Sequence, residues 1–230
     1  MQTMNSTKIS NDTLEILKNF SSINSNILVR VGNKLTTISP VKNVMAEAEV
    51  SETFDQEFGI WDLNKFLGTV SLFDSPEFTF NENSVDITSQ SNSSSVQYYY
   101  SEPSLLTTVN KTINMPECVV ECNITQANFN DVLKAASVLQ VNDIAIRSNG
   151  SDIELLATDK KDSTSNSYSV VIGDNPTGAT FMFYFKAENL KVLPGDYRVG
   201  ITEKVVSQFV HTKRPLTYWV ALESDSTYSA

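Results

Sequence analysis

Side chains that could carry out catalytic or metal chemistry are few, and their spacing does not bring them together. His211 is the single histidine of the 230-residue chain, and the two cysteines, Cys118 and Cys122, lie four residues apart. On a strand that spacing separates two residues by about 13 Å, whereas a disulfide needs Cα atoms within about 7 Å. We therefore expect Cys118 and Cys122 to be core thiols on a half-buried strand, and His211 to lie in a solvated turn.

Patterns that activate a nucleophile, hold a metal or cradle a phosphate are also missing. One histidine and two cysteines at this spacing form neither a nucleophilic triad nor a zinc site. The eight glycines form no glycine-rich loop of the kind that follows a strand and binds phosphate. The sequence thus predicts no catalytic residue, no metal site and no cofactor.

The placement of lysines is the remaining chemical signal. The chain carries 17 Lys and Arg against 27 Asp and Glu, a net charge of −10, so contact with a polyanion requires a local cluster of cations. One interpretation is that lysines on predicted helices only keep the polar faces soluble. The other is that the helices line one surface and present about three to five weak contacts per subunit to a nucleic-acid backbone, which suits sliding. The lysines on the four candidate helices are Lys18, Lys65, Lys134, and Lys186 or Lys191.

An internal repeat supplies the elements that position these lysines. Residues 10–21 resemble residues 125–137, and each segment leads into a strand, a turn with glycine and a second strand. An offset of about half the chain predicts two copies of one domain. The matched positions are Leu17-Lys18 with Leu133-Lys134 and Val29-Arg30 with Ile146-Arg147; more loosely, residues 60–68 match 185–193 as short helices entered from strands.

The other apolar segments alternate as strands do, so the predicted class is α+β, with two similar domains and two helices in each. Pro103, Pro116 and the polar residues between them interrupt the periodicity, as at a domain boundary. We predict an N-terminal domain over 1–105, a linker over 106–117 and a C-terminal domain over 118–230. No apolar run reaches the roughly 18 to 20 residues that span a bilayer, and no signal peptide is evident at the start.

Five strings, in order along residues 9–227, carry a resemblance to a known family. They are Leu17–Ser25, Trp61–Gly68, Tyr168–Asp174, Pro194–Tyr197 and Tyr218–Thr227. Together they resemble the DNA polymerase sliding clamp of T-even-type bacteriophages, although none is a catalytic signature. The resemblance implies the DNA-clamp fold: a ring-shaped homotrimer of two-domain subunits, with β-sheets outside and two α-helices per domain lining a hole for duplex DNA.

The same resemblance implies a processivity factor and not an enzyme. An ATP-dependent clamp loader would place the ring on duplex DNA, which it would bind without reading sequence. The ring would then tether the phage DNA polymerase in the cytoplasm of the infected bacterial host. Family members also contact the transcription machinery, so late transcription proteins are a further expected partner. The expected DNA-facing residues are Lys18, Lys65, Lys134, Lys186 and Lys191.

Closure of a ring requires two different edges of the subunit to meet. The candidates are strands over 94–100 and 164–171, which could pair as edge strands across subunits. The alternative is that the three consecutive tyrosines are ordinary sheet surface. The predicted interface residues are Tyr98, Tyr99, Tyr100, Tyr168 and Val170.

Partners of clamps insert a short peptide into an apolar pocket between the domains, beside the linker and the C-terminal strand. The alternative is that the apolar residues at these positions only seal the domain interface. By the resemblance, the pocket would comprise Leu105, Leu106, Val109, Ile113, Trp219, Val220 and Leu222.

A β-rich virion structural protein is the alternative function, because such subunits also assemble through edge strands and are rich in Asn, Ser and Thr. A lysine at the matching position of each repeated helix argues against it. An enzyme ranks last, since the sequence offers no catalytic constellation.

Overall fold

The structure is a computed structural model that describes residues 6–89, 94–109, 114–203 and 205–230. The chain divides into two compact units, Met1–Lys111 and Thr112–Ala230. The division lies within the segment 106–117 that we predict as a linker. No helix of the described ranges is long and apolar enough to cross a bilayer.

The described part of the N-terminal unit contains two α-helices packed side by side and three groups of antiparallel strands. The helices are α1 (Asn11–Ile23) and α2 (Leu63–Val70), and a 3₁₀ turn spans Pro103–Leu105. The strands are β1 (Ser6–Thr7), β2 (Ile27–Val29), β3 (Gly32–Ile38), β4 (Val44–Phe54), β5 (Phe58–Ile60), β6 (Glu77–Phe80), β7 (Ser84–Thr88) and β8 (Ser95–Tyr99). Strands β1, β6, β7 and β8 pair in that order, β3 pairs with β4, and β2 pairs with β5.

In its described residues, the C-terminal unit has one α-helix and two rows of antiparallel strands. The helix is α3 (Gln126–Leu139), and a 3₁₀ turn spans Ala187–Asn189. The strands are β9 (Val120–Ile124), β10 (Asp143–Asn149), β11 (Asp152–Thr158), β12 (Tyr168–Asp174), β13 (Thr180–Lys186), β14 (Tyr197–Ile201), β15 (Val206–His211), β16 (Leu216–Ala221) and β17 (Thr227–Ser229). One row runs β12-β11-β10-β13-β17, and the other contains β16-β15-β14-β9.

The repeat predicted from the sequence is confirmed by the order and pairing of the elements. In each unit an amphipathic helix leads into a strand and then, through a glycine turn, into the next: α1, β2, β3 and α3, β10, β11. The first strand of each set also pairs with a later strand at the matching position. Ile27 lies opposite Ile60 in the N-terminal unit, and Ile144 lies opposite Phe185 in the C-terminal unit.

One predicted helix is wrong. Residues 185–193 were expected to repeat α2, but β13 continues to Lys186 and is followed by the single 3₁₀ turn Ala187–Asn189. The backbone N–H of Ala187 donates to Asn142 O, which extends the sheet pairing, and Leu190 and Leu193 are buried. Pro194 then prevents a helix from continuing. The described residues therefore contain three α-helices instead of four.

The structure also shows the surroundings of the two cysteines and of the histidine. Cys122 is a buried thiol on β9, and burial raises its pKa to about 12, whereas Cys118 lies just before the strand and is partly exposed. The expectation that His211 lies in a solvated turn is wrong. It ends β15 with 6% of its surface exposed, because its ring packs against Tyr197 and the backbone of Gly195.

Candidate nucleic-acid interface and assembly edges

Lys18 is held on the outer face of α1 by the way that helix is anchored. Ile16, Leu17 and Phe20 are buried, so the side chain of Lys18 points to solvent. Ser10 caps the helix by accepting the N–H of Thr13 at 3.2 Å. The orientation of Lys18 therefore follows from the apolar stripe of α1 and from a defined helix start.

A buried carboxylate from β4 completes the start of α1. Glu52 is 8% exposed and accepts hydrogen bonds from the backbone N–H of Ser10 and the hydroxyl of Thr13. Burial raises the pKa of Glu52, but the hydrogen bonds from Thr13 and Ser10 outweigh burial and hold it below the ordinary value of 4.5. An ionised Glu52 thus satisfies donors at the first turn and lies at the positive end of the helix dipole.

Lys65 is positioned by the short helix α2, which packs against α1. Asp62 caps α2 by accepting the N–H of Lys65 at 2.9 Å, and the buried residues Leu63 and Phe66 leave the Lys65 side chain exposed. A groove of about 780 Å³ is lined by residues of both helices, among them Lys18 and Asn64.

Lys134 occupies the corresponding position on α3. The helix begins at the cap Thr125, which accepts the N–H of Asn128 at 3.2 Å, while Asp196 accepts the N–H of Gln126 at 2.8 Å. Phe129, Val132 and Ala136 form the buried face, and Lys134 is exposed. Lys134 also borders a second groove of about 530 Å³, between α3 and the start of β12.

The three helices carry less negative charge than the rest of the chain. They contain three lysines, Lys18, Lys65 and Lys134, and three acidic residues, Asp12, Glu15 and Asp131. The net charge of −10 therefore lies entirely outside them. In the part of the chain that the structure describes, no ion pair joins these three lysines to a carboxylate.

Lys186 and Lys191 have different surroundings from the helical lysines. Lys186 ends β13, where its Nζ pairs with Asp143, whose side chain is 4% exposed, and lies 3.9 Å from Glu223. Lys191 follows the 3₁₀ turn and is exposed. Neither lies on a helix, and Lys186 already neutralises a buried carboxylate.

The two strands predicted to close a ring lie at edges of their own strand rows. β8 pairs with β7, and β12 pairs with β11; each is the terminal strand of its row in the described residues. β12 begins at Tyr168, so the prediction of a strand from residue 164 is wrong. Asp162 accepts hydrogen bonds from the N–H and hydroxyl of Thr164, which forms a turn there instead.

The three consecutive tyrosines do not share one environment. Tyr98 packs edge-on against Phe66, with ring centroids 5.2 Å apart, and its hydroxyl donates to Asp62 O at 3.2 Å. Tyr100 stacks on Phe58, and burial raises its pKa to about 12. Tyr99 is 68% exposed, so its ring is the most accessible to solvent of the three. On β12, the predicted interface residues Tyr168 and Val170 are half-buried.

The residues predicted for a peptide pocket divide between the two units. In the N-terminal unit Leu105 is 63% exposed, Leu106 is buried against Gly59, and Val109 is half-buried. Ile113 lies outside the described residues.

The C-terminal members of the predicted pocket lie on or just after β16. Val220 is fully buried and belongs to the core, whereas Trp219 and Leu222 are half-buried. The indole N–H of Trp219 is buried without a hydrogen-bond partner among the described residues. Trp219 and Leu222 are therefore better placed than Val220 to meet another molecule.

Sequence reasoning missed several residues that shape these surfaces. Glu52 and Asp196 cap the helices from distant strands and loops, and Trp61 and Val138 expose 58% and 73% of their surfaces. A signal existed for Glu52, because it occupies an inward position of the alternating strand β4. Nothing in the local sequence marked Trp61 as exposed, whereas the helical period places Val138 on the face of α3 opposite Phe129. In the described ranges no group of three His, Cys, Asp or Glu side chains could hold a metal ion.

Comparison with known proteins identifies the family. The family described as "DNA polymerase processivity factor" matches residues 10–115, and the family described as "gp45 sliding clamp, C terminal" matches residues 121–224. The sliding clamp of Escherichia phage RB69 is 32% identical over 228 residues, which cover 96% of this chain and 99% of the relative. The chain belongs to the sliding-clamp family. The resemblance expected from the sequence is thereby confirmed.

Further relatives agree with this family and with its fold. The sliding clamp of Vibrio phage KVP40 is 28% identical over 222 residues, covering 94% of this chain and 99% of the relative. The PCNA2–PCNA3 complex of Sulfolobus tokodaii has the same fold, with a TM-score of 0.70 at 11% identity over 96% of this chain and 99% of that chain. The predicted α+β clamp fold with two domains is confirmed, and the chain is a DNA polymerase processivity factor. The alternative of a virion structural protein finds no support.

Proposed function

We propose that three copies of this sliding clamp form a closed ring around duplex DNA and tether the phage DNA polymerase, with no chemistry of their own. The observation that supports this most directly is the matched pair Lys18 and Lys134. Each is exposed on the helix that begins its repeat, and neither is paired with a carboxylate among the described residues. Such lysines can touch phosphates weakly and without reading the bases.

The ring would close head to tail through the edge strands β8 and β12. Each has unpaired backbone groups along one side within its own unit, and unpaired strand edges add a further strand readily. Tyr99 would contribute exposed aromatic area to this contact. The ring would be opened by an ATP-dependent clamp loader and would act in the cytoplasm of the infected bacterium.

Partner peptides from the polymerase, the loader and late transcription proteins would bind apolar residues near the linker and the C-terminal strand. The candidates whose side chains are at least partly exposed are Leu105, Val109, Trp219 and Leu222. Lys65 and Lys191 would join Lys18 and Lys134 in facing DNA. Lys186 would contribute less to DNA binding than these lysines, because its ammonium group is already paired with Asp143.

The test combines solution mass with loader-dependent primer extension. Three 25.5-kDa subunits give 76.5 kDa, and we expect that mass by light scattering. At a concentration where light scattering shows a trimer, Lys18→Glu/Lys134→Glu should shorten the products made per binding event, and the difference from wild type should shrink as salt rises. Lys161→Glu/Lys213→Glu is the matched control, because it changes the charge equally at exposed lysines outside the helices. A monomer at every concentration, or equal product lengths for both double variants, would contradict the proposal.

A further inference from the structure

Two large apolar side chains project into solvent beside the edge strands. Trp61 is 58% exposed and Val138 is 73% exposed. Aromatic residues are enriched at protein interfaces, and an unpaired strand edge readily adds a strand from another chain. Trp61 lies near the end of β8, and Val138 lies near the start of β12.

Trp61 lies beside the last residues of β8. It directly precedes Asp62, the cap of α2, and the carbonyl of Asp62 accepts the hydroxyl of Tyr98 at 3.2 Å. Tyr98 is the penultimate residue of β8. Gly59 also forms a bridge with Ser101, two residues after β8, so the backbone at Trp61 lies near the carboxyl-terminal end of this edge strand.

Val138 lies beside the first residues of β12. It lines the groove of about 530 Å³ together with Leu139 of α3 and with Ser167 and Tyr168 at the start of β12. Its lining combines the apolar side chains of Ala135, Val138 and Leu139 with the charged side chains of Asp131 and Lys134. The groove thus opens at the amino-terminal end of the other edge strand.

The chain directions of β8 and β12 would place Trp61 of one copy opposite the groove of another. The strand pairs of both units are antiparallel, including β7 with β8 and β11 with β12. Antiparallel pairing of β8 with β12 of a second copy would set the end of β8 opposite the start of β12. We propose that Trp61 of one copy enters the groove between α3 and β12 of the next copy. This inference rests on the proposed ring and adds an apolar anchor to its strand pairing.

The occupant is a second copy because both halves of the contact belong to this chain and continue the same pair of edges. An indole that fills a groove at an interface is a common energetic hot spot. We therefore expect Trp61→Ala to raise the concentration at which the trimer half-dissociates by about tenfold or more. Leu72→Ala, at a residue 71% exposed at the other end of α2, should leave that concentration within about twofold of the wild-type value.

Tryptophan fluorescence gives a direct reading of the anchor. The chain has two tryptophans, so the difference between wild-type and Trp61→Phe spectra isolates the Trp61 emission. That emission should be blue-shifted and protected from acrylamide in the trimer, and it should move red in step with the fall in light-scattering mass on dilution. A variant that keeps the fold, Val138→Gln, should weaken the trimer, whereas Val31→Gln, at a residue 68% exposed elsewhere, should not.

The outcomes separate this inference from the proposed function. A stable trimer whose Trp61 is as accessible to acrylamide as in the monomer overturns the anchor and leaves the ring intact. A trimer unaffected by both Trp61→Ala and Val138→Gln also overturns the anchor. Failure to form a trimer under any condition overturns both.

Discussion

Replacing Glu52 by glutamine tests how β4 holds the helix that carries Lys18. The carboxylate accepts hydrogen bonds from the N–H of Ser10 and the hydroxyl of Thr13 in a site where Glu52 is only 8% exposed. Hydrogen bonds to a charged group contribute about 1.5–3 kcal/mol each and neutral ones about 0.5–1.5 kcal/mol. The lost charge at the start of α1 adds about 0.5 kcal/mol.

These terms predict that Glu52→Gln lowers the free energy of unfolding by about 2 kcal/mol at neutral pH. For a chain of this size that corresponds to a fall in the melting temperature of about 4–8 °C. Glu49→Gln is the matched control, since Glu49 lies on the same strand with half of its side chain exposed in a surface ion pair. Its effect should stay within about 0.5 kcal/mol.

The pH dependence gives a second reading of the same contact. The pKa of Glu52 is lower in the folded chain than its ordinary value of 4.5. The stabilisation is therefore complete above that value and is lost as pH falls through the folded pKa. Thermal unfolding over a pH series from neutral into acid, at one protein concentration, should show the difference between wild type and Glu52→Gln shrinking as pH falls. An equal melting temperature at neutral pH, or a difference that persists unchanged in acid, would refute this account of the helix start.

Two further predictions concern the C-terminal unit. Lys186→Ala leaves the buried carboxylate of Asp143 without its counter-ion and should lower the free energy of unfolding by about 3 kcal/mol. The control Lys161→Ala should stay near wild type. Equal stability of the two variants in denaturant unfolding would argue against the buried pair. Burial lowers the pKa of His211 below 6.5, so its contribution to stability is complete above pH 6.5 and is lost as pH falls from there through the folded pKa. Since His211 is the single histidine, one imidazole NMR signal reports its titration, and a pKa at or above 6.5 would contradict the buried site.

The repeat and most strands followed from periodicity because their apolar residues alternate with the correct period. Alternation predicts strands over 84–88, 180–185 and 197–202; β7 matches the first range, and β13 and β14 match the other two within one residue at one end. Strand β4 gave a weaker signal, since alternating Ala and Glu over 46–49 have higher helix than strand propensity. Its alternating burial shows that tertiary packing overrides that propensity.

Long-range contacts explain the expectations that failed. His211 looked like a turn residue because its neighbours in the sequence are polar, but Gly195 and Tyr197 bury it from another strand. Tyr98 and Tyr99 end β8 and Tyr100 follows it, so alternation could assign their faces, yet it could not give the hydrogen bond from the Tyr98 hydroxyl to Asp62 O. The sequence predicted Lys186 on a short helix facing DNA, but in the structure it pairs with the buried Asp143. A local pattern assigns a face to a residue, while the partner on that face comes from elsewhere in the chain.

The distribution of charge agrees with a protein held on DNA by topology. Tight electrostatic binding would require many cations on phosphates, and the three helices offer three lysines against three acidic residues. Glu15 and Asp131 lie three residues before Lys18 and Lys134, so the same pairing of signs recurs in both repeats. A helix surface of zero net charge neither repels phosphates strongly nor holds them for long. The acidic remainder opposes adhesion to DNA anywhere else, so in the proposed ring the helices would be the part of the subunit best suited to lie beside the duplex.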